Sequence, residues 1–289
     1  MKNISIIMCG ICLSATMLLT SCDLNVRTDK YRSSAHWGEV TEEKLDLDKF
    51  TSIVVNTTVD VVFTQGDNQS VKVEGNERAI SEYDFRVEGS DDDEEDSKGT
   101  LYIDNARSLN YNLPSVRLKI TAPDLKSITI NGSADFNMKD SVSLEKLDVI
   151  INGSGDCDIR NISTRGYTML SVFGSGDIVV RNLTAPTIGA AVTGSGDIEI
   201  RQAMCEGDAN LFTSGSGDID ATIVGRSVNA TSQGSGDIDL DVYCDSLTIS
   251  SQGTGDIEVK GSTAVLFKDS EMLGTTTTKK LKAETVEYK

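Results

Sequence analysis

Seven copies of a Gly-Ser-Gly-Asp theme punctuate this sequence at almost constant intervals. They read Gly132-Ser133-Ala134-Asp135, Gly153-Ser154-Gly155-Asp156, Gly174-Ser175-Gly176-Asp177, Gly194-Ser195-Gly196-Asp197, Gly215-Ser216-Gly217-Asp218, Gly234-Ser235-Gly236-Asp237 and Gly253-Thr254-Gly255-Asp256. Successive first glycines lie 21, 21, 20, 21, 19 and 19 residues apart. Such regularity marks a repeat architecture, in which each unit buries its apolar face only against its neighbours. An eroded earlier copy stands at Thr57-Thr58-Val59-Asp60, because Ile53-Val54-Val55-Asn56 before it matches Ile128-Thr129-Ile130-Asn131.

Strand-type alternation flanks each turn. After the Asp, apolar residues fall two apart, as in Ile178 and Val180, Ile198 and Ile200, Ile238 and Leu240, and Ile257 and Val259. Before the first glycine, Ile128 and Ile130, and Val149 and Ile151, do the same. A period of two over short runs is that of a half-buried strand. Twenty extended residues span roughly 66 Å, enough to close one coil, and coils stack at about 4.8 Å. The expected fold is therefore all-β: a right-handed parallel β-helix of 19–21 residues per coil, with seven or eight coils and a cap at each end. The first and third positions of the motif predict glycine either for positive φ or for close approach of the next coil's backbone. The Ser or Thr between them is expected to bond locally and hold the corner. Regular repeats occupy 124–261, with an N-terminal cap and degenerate coil over 50–123 and a C-terminal cap over 262–289.

Ahead of this domain the chain reads as an export signal. Lys2 precedes an apolar run from Ile4 to Leu19, which closes on Leu19-Thr20-Ser21-Cys22. The run is short for a membrane span, and the small residues before Cys22 resemble a bacterial lipobox, in which the cysteine thiol takes diacylglycerol. Residues 1–21 are thus the expected signal peptide. Residues 22–49, polar and without periodicity, are the expected lipidated cysteine and flexible tether, which holds His36 and Trp37. Beyond Cys22 three cysteines remain, Cys157, Cys205 and Cys244, an odd number without metal-ligand spacing. A net charge of −18 excludes nucleic acid as a partner.

The repeats, the lipobox and the opening Phe50-Thr51-Ser52-Ile53-Val54-Val55 together resemble the head GIN domain family, which carries an auto-transporter adhesin label and is common in lipoproteins of Bacteroidetes-type bacteria. The likeness runs from about Phe50 to Gly261. It implies a right-handed β-helix and an adhesin-like role, and it brings no catalytic residues.

Stacking would align Asp135, Asp156, Asp177, Asp197, Asp218, Asp237 and Asp256 in one row, with Asp158, Glu199, Asp220, Asp239 and Glu258 in a second beside it. Carboxylates about 5 Å apart repel by roughly 0.8 kcal/mol in water and about 3 kcal/mol at an effective dielectric of 20. Backbone N–H groups could offset that, which makes the row a structural ladder. A Ca2+ ion could also offset it, since stacked carboxylates are hard oxygen ligands, although the calcium-binding β-roll spacing is missing. A partial basic row, Lys139, Arg160, Arg181, Arg201 and Lys260, follows four residues after most of these Asp. The run Asp91–Asp96 reads as a solvated loop or a weak cation trap.

Enzyme chemistry is not expected. The single His lies outside the repeats, the acids are repetitive with no distinguished pair, and aromatic residues are 5% of the chain. The favoured reading is an adhesin-like module of the cell envelope, anchored by its N-terminal lipid in what is expected to be the outer membrane. It would present a repetitive acidic surface to a glycan or protein ligand. A periplasmic structural or accessory lipoprotein is the alternative, and a polysaccharide-active β-helix enzyme a more distant one.

Overall fold

The structure, a computed structural model, describes residues 37–89, 99–107, 113–269 and 274–288. The expected signal peptide, Cys22, His36 and the Asp91–Asp96 run lie outside the described residues. Nineteen strands join in one continuous sheet, wound as a solenoid of about eight turns.

The repeats build the body. Strands β1 (Val40–Leu45), β2 (Phe50–Val55), β3 (Asp60–Gln65) and β4 (Ser70–Asn76) come first, followed by a single helical turn α1 (Glu77–Ile80). Next are β5 (Tyr83–Glu88), β6 (Gly99–Asn105) and β7 (Arg117–Ala122). The regular coils follow as β8 (Ser127–Ile130), β9 (Phe136–Leu144), β10 (Leu147–Ile151), β11 (Cys157–Thr164), β12 (Tyr167–Val172), β13 (Ile178–Ala185) and β14 (Thr187–Val192). From there each coil is one long bent strand: β15 (Ile198–Thr213), β16 (Ile219–Ser232), β17 (Ile238–Ser251), β18 (Ile257–Lys268) and β19 (Thr276–Tyr288).

Every coil pairs in parallel with its equivalents above and below, so like residues form columns. Ile178, Ile198, Ile219, Ile238 and Ile257 are successive partners in one such column, and all are buried. Cys157 and Phe136 continue it downwards. Within a coil the inward row shows where the chain bends. In β16 it runs Ile219, Ala221, Ile223 and then Val228, Ala230, Ser232, and the odd five-residue step marks the corner.

Close approach, not positive φ, demands the motif glycines. Among the described glycines only Gly38, Gly89 and Gly261 have positive φ. A Cβ on Gly194 would lie 2.0 Å from the Gly174 carbonyl oxygen of the coil below, and one on Gly196 would lie 2.1 Å from that of Gly176. The one alanine in the third position, Ala134, stands above a turn of different sequence. That turn is Thr57-Thr58-Val59-Asp60: the Ser133 N–H donates to the Thr57 carbonyl at 3.1 Å and the Asp135 N–H to Asp60 Oδ1 at 3.3 Å. The eroded copy read from the sequence is a working rung of the stack.

The corner hydroxyl also differs from the expectation. In the upper coils it is Ser232 and Ser251, two residues ahead of the first glycine, that are buried and donate to the third glycine's carbonyl (Gly236 and Gly255) at 3.2 Å. The motif serines Ser154, Ser175, Ser195, Ser216 and Ser235 are exposed.

Below the repeats the order is not sequential. The β2–β3 coil is sandwiched between β8–β9 above and the later β6–β7 below. Antiparallel strands then close the end, with β4 on β7, β1 on β4 and β5 on β6. The tether expectation is corrected from Trp37 onward. Trp37 is 5% exposed and part of the core, its carbonyl accepts the Arg78 N–H of α1, and Asn76 Nδ2 donates to the Gly38 carbonyl. At the other end, 262–289 continues the coil geometry through β18 into β19 as a further rung.

Candidate functional site

The turn aspartates form a hydrogen-bonded ladder on one edge of the solenoid. Each backbone N–H donates to Oδ1 of the Asp one coil below: Asp156 to Asp135 at 3.1 Å, Asp177 to Asp156 at 2.9 Å, Asp197 to Asp177 and Asp218 to Asp197 at 2.8 Å. Asp237 to Asp218 and Asp256 to Asp237 are 2.7 Å, and Thr275 ends the row on Asp256 at 3.0 Å. All seven side chains are exposed. An Asp is required because its short side chain places the carboxylate at the height of the next coil's N–H. A charge-assisted bond of this kind is stronger than a neutral one and offsets the repulsion along the row.

The second row is stacked in register as the spacing implied. Asp158, Val179, Glu199, Asp220, Asp239 and Glu258 are successive β partners, with Val179 the single uncharged member. Between the rows runs a shallow groove of about 380 Å³, lined by Asp177, Asp197, Glu199, Asp218, Asp220 and Asp239. The basic row neutralises it only in part: Arg181 Nη2 reaches Asp158 Oδ2 at 3.1 Å, and Arg201 Nε reaches Glu199 Oε1 at 2.9 Å. Among the described residues no group of three or more His, Cys, Asp or Glu is arranged to hold a metal ion.

Asp239 feels this crowding most. Partial burial, then Glu258, Asp220 and Asp237, push its carboxyl above the ordinary value of 3.8, and Lys260 opposes the shift. Its ionisation therefore costs the folded state, from 3.8 upwards as the unfolded chain ionises first. Asp239→Asn is expected to raise the urea midpoint at neutral pH, with the gain shrinking to nothing below pH 3.8. Unfolding curves across the acid range check this.

The three cysteines are free, and none belongs to this face. Cys205 and Cys244 share a column with Gly225 between them, so they stand two coils and about 9.6 Å apart, too far for a disulfide. Burial pushes all three thiols up.

Two features escaped the sequence reading. One is an asparagine ladder just before the turn, where Asn131 Nδ2 donates to Asn56 Oδ1 at 2.6 Å and Asn152 Nδ2 to Asn131 Oδ1 at 2.7 Å. Its signal was present, since each of these Asn precedes a turn copy. The other is an exposed apolar row, Met204, Val224 and Tyr243, successive partners on the neighbouring face. Nothing in the motif announces it.

With the geometry in place, comparison with known proteins is informative. The family model described as "putative auto-transporter adhesin, head GIN domain" matches residues 49–226 and again 209–289. No curated protein matches the chain. Among solved structures, a "putative adhesin" from Bacteroides fragilis superposes with a TM-score of 0.65 at 20% identity, covering 76% of this chain and 97% of that one. A "putative adhesin" from Parabacteroides merdae gives 0.63 at 18% identity, covering 87% and 97%. A "putative lipid binding protein" from Parabacteroides distasonis gives 0.62 at 18% identity, covering 87% and 98%. At these identities the likeness is one of fold. Among the described residues no helix is long and apolar enough to cross a membrane.

Proposed function

The chain belongs to the head GIN domain family, and from that premise we propose that it is a non-enzymatic, adhesin-like binding module of the bacterial envelope, exported, lipidated on Cys22 and held in the outer membrane. Its working surface is the acidic face, offered to a glycan or protein ligand. The observation that carries this reading is the groove between two in-register carboxylate rows, repeated coil after coil. A periodic surface of this kind binds by many weak contacts at once, and each added contact multiplies the residence time rather than creating a deep pocket. Its charge turns away polyanions and favours partners with cationic or hydroxyl-rich surfaces. The acids act as a repeated array, and no pair is set apart in the way that glycoside hydrolysis requires.

Trypsin treatment of intact cells, with a lysed control, tests the placement. Arg27, Lys30 and Arg32 precede Trp37 in the sequence and offer cleavage sites between the lipid and the folded body. The expected result is release of the body from whole cells. Protection until lysis would remove the adhesin reading and leave that of a periplasmic accessory lipoprotein, whose signature is a stable co-purifying envelope protein.

A further inference from the structure

One stack of strands ends in two open edges that face opposite ways and carry opposite charge. From bottom to top that stack runs β1, β4, β7, β3, β9, β11, β13, β15, β16, β17, β18, β19. Because β1 is antiparallel to β4 and β4 antiparallel to β7, β1 points the same way as every coil above it, β19 included. Among the described residues β1 pairs only with β4 and β19 only with β18.

The first half of the top edge, which lies over this stack, is basic in a strongly acidic protein, while Glu284 and Glu287 stand in the second half. Lys279, Lys280 and Lys282 are exposed in the first part of β19, and only Lys280 is drawn down to a neighbour, Glu258 at 3.3 Å. The bottom edge is acidic: Glu39, Glu42, Glu43, Asp46 and Asp48 are exposed, against Lys44 and Lys49. Hydrogen bonds from Lys72, then Lys119, hold Glu42 down at about 2, so it stays ionised, and Glu43 stands beside it on the free strand.

We propose that β19 of one molecule pairs in parallel with β1 of a second copy of this chain, stacking the solenoids end to end. Lysines on an open edge keep neutral and basic strands from adding to it. An acidic strand turns that deterrent into attraction, so the edge selects its partner. Along this stack the shared strand direction means that a simple head-to-tail arrangement continues the pairing already used inside each molecule. Such a contact uses different surfaces on the two partners and does not close on itself, so it builds an open series of oligomers.

Sedimentation velocity of the purified protein over a concentration series tests this. The expected result at low salt is a concentration-dependent series of multiples, reduced to monomer at about 0.5 M salt, where the screening length is only a few ångströms. The double variant Lys279→Glu/Lys282→Glu, blocked at the top, and Glu43→Lys, blocked at the bottom, are each expected to be monomeric alone. Mixed together, they are expected to form a dimer that grows no further, which also shows that both remain folded. A wild-type protein that stays monomeric throughout, a mixture that does not associate, or multimers indifferent to both substitutions would overturn the proposal.

Discussion

Gly194→Ala is expected to destabilise the protein by about 3 kcal/mol, although it adds a single methyl group to a surface turn. The added carbon would sit 2.0 Å from the Gly174 carbonyl oxygen and 2.6 Å from that of Phe173. Both obstacles are backbone, and both belong to a coil already held at its spacing by the hydrogen bonds of Ser195 and Asp197 to the turn below. No rotamer change relieves the contact, so the coils must separate and lose pairing on both sides. The neighbouring Ser195→Ala removes an exposed hydroxyl and is expected to shift stability by less than about 0.5 kcal/mol. Urea unfolding of the two variants, side by side, checks both. Equal, small effects would mean that the turn glycines recur from copy to copy for some reason other than the coil contact.

Ile219→Ala is expected to cost about 3 kcal/mol by leaving a cavity in the isoleucine column. Ile219 is fully buried between Ile198 below and Ile238 above. In a solenoid each rung touches only its two neighbours, and the strand spacing fixes how far they can close in. The void therefore persists, whereas in a globular core surrounding side chains relax into it. Ile219→Val, which removes one carbon, is expected to cost about 1 kcal/mol. A loss well below this for the alanine variant would show that the coils collapse around the gap.

Much of this fold could be read from the chain because its information is local and repeated. The column of isoleucines, the second carboxylate row and the eroded rung at Thr57–Asp60 all follow from aligning one coil on the next. The misreadings fall where the determinant is not local. Trp37 sits in a polar stretch without periodicity, and its place in the core and its hydrogen bond to the distant α1 are long-range features. That β6–β7 lies beneath β2–β3 is long-range pairing, which leaves no trace in either segment alone. Glycine in the motif announced a steric need but not which one, since positive φ and backbone approach select the same residue. The hydroxyl of Ser232 was hidden because the same position is Ile130, Ile151, Val172 or Val192 in lower coils, where it packs as apolar core. As for the candidate site, the residues were legible, but their role in hydrogen bonding was visible only once the N–H donors had positions.

The account rests on the aspartate row being part of the fold, with each carboxylate serving as acceptor for the coil above. Unfolding of Asp197→Asn and Asp197→Ala with a chelator present, and of the wild type with and without added Ca2+, tests that most directly. Asparagine keeps an oxygen for the Asp218 N–H, now 2.8 Å away, and removes a charge from a crowded row. It is expected to lie close to wild type, while alanine leaves that N–H without its acceptor and loses about 1–2 kcal/mol. Calcium is expected to change nothing. Asparagine as damaging as alanine, together with a wild type markedly stabilised by Ca2+, would contradict the account and make the row a cation site.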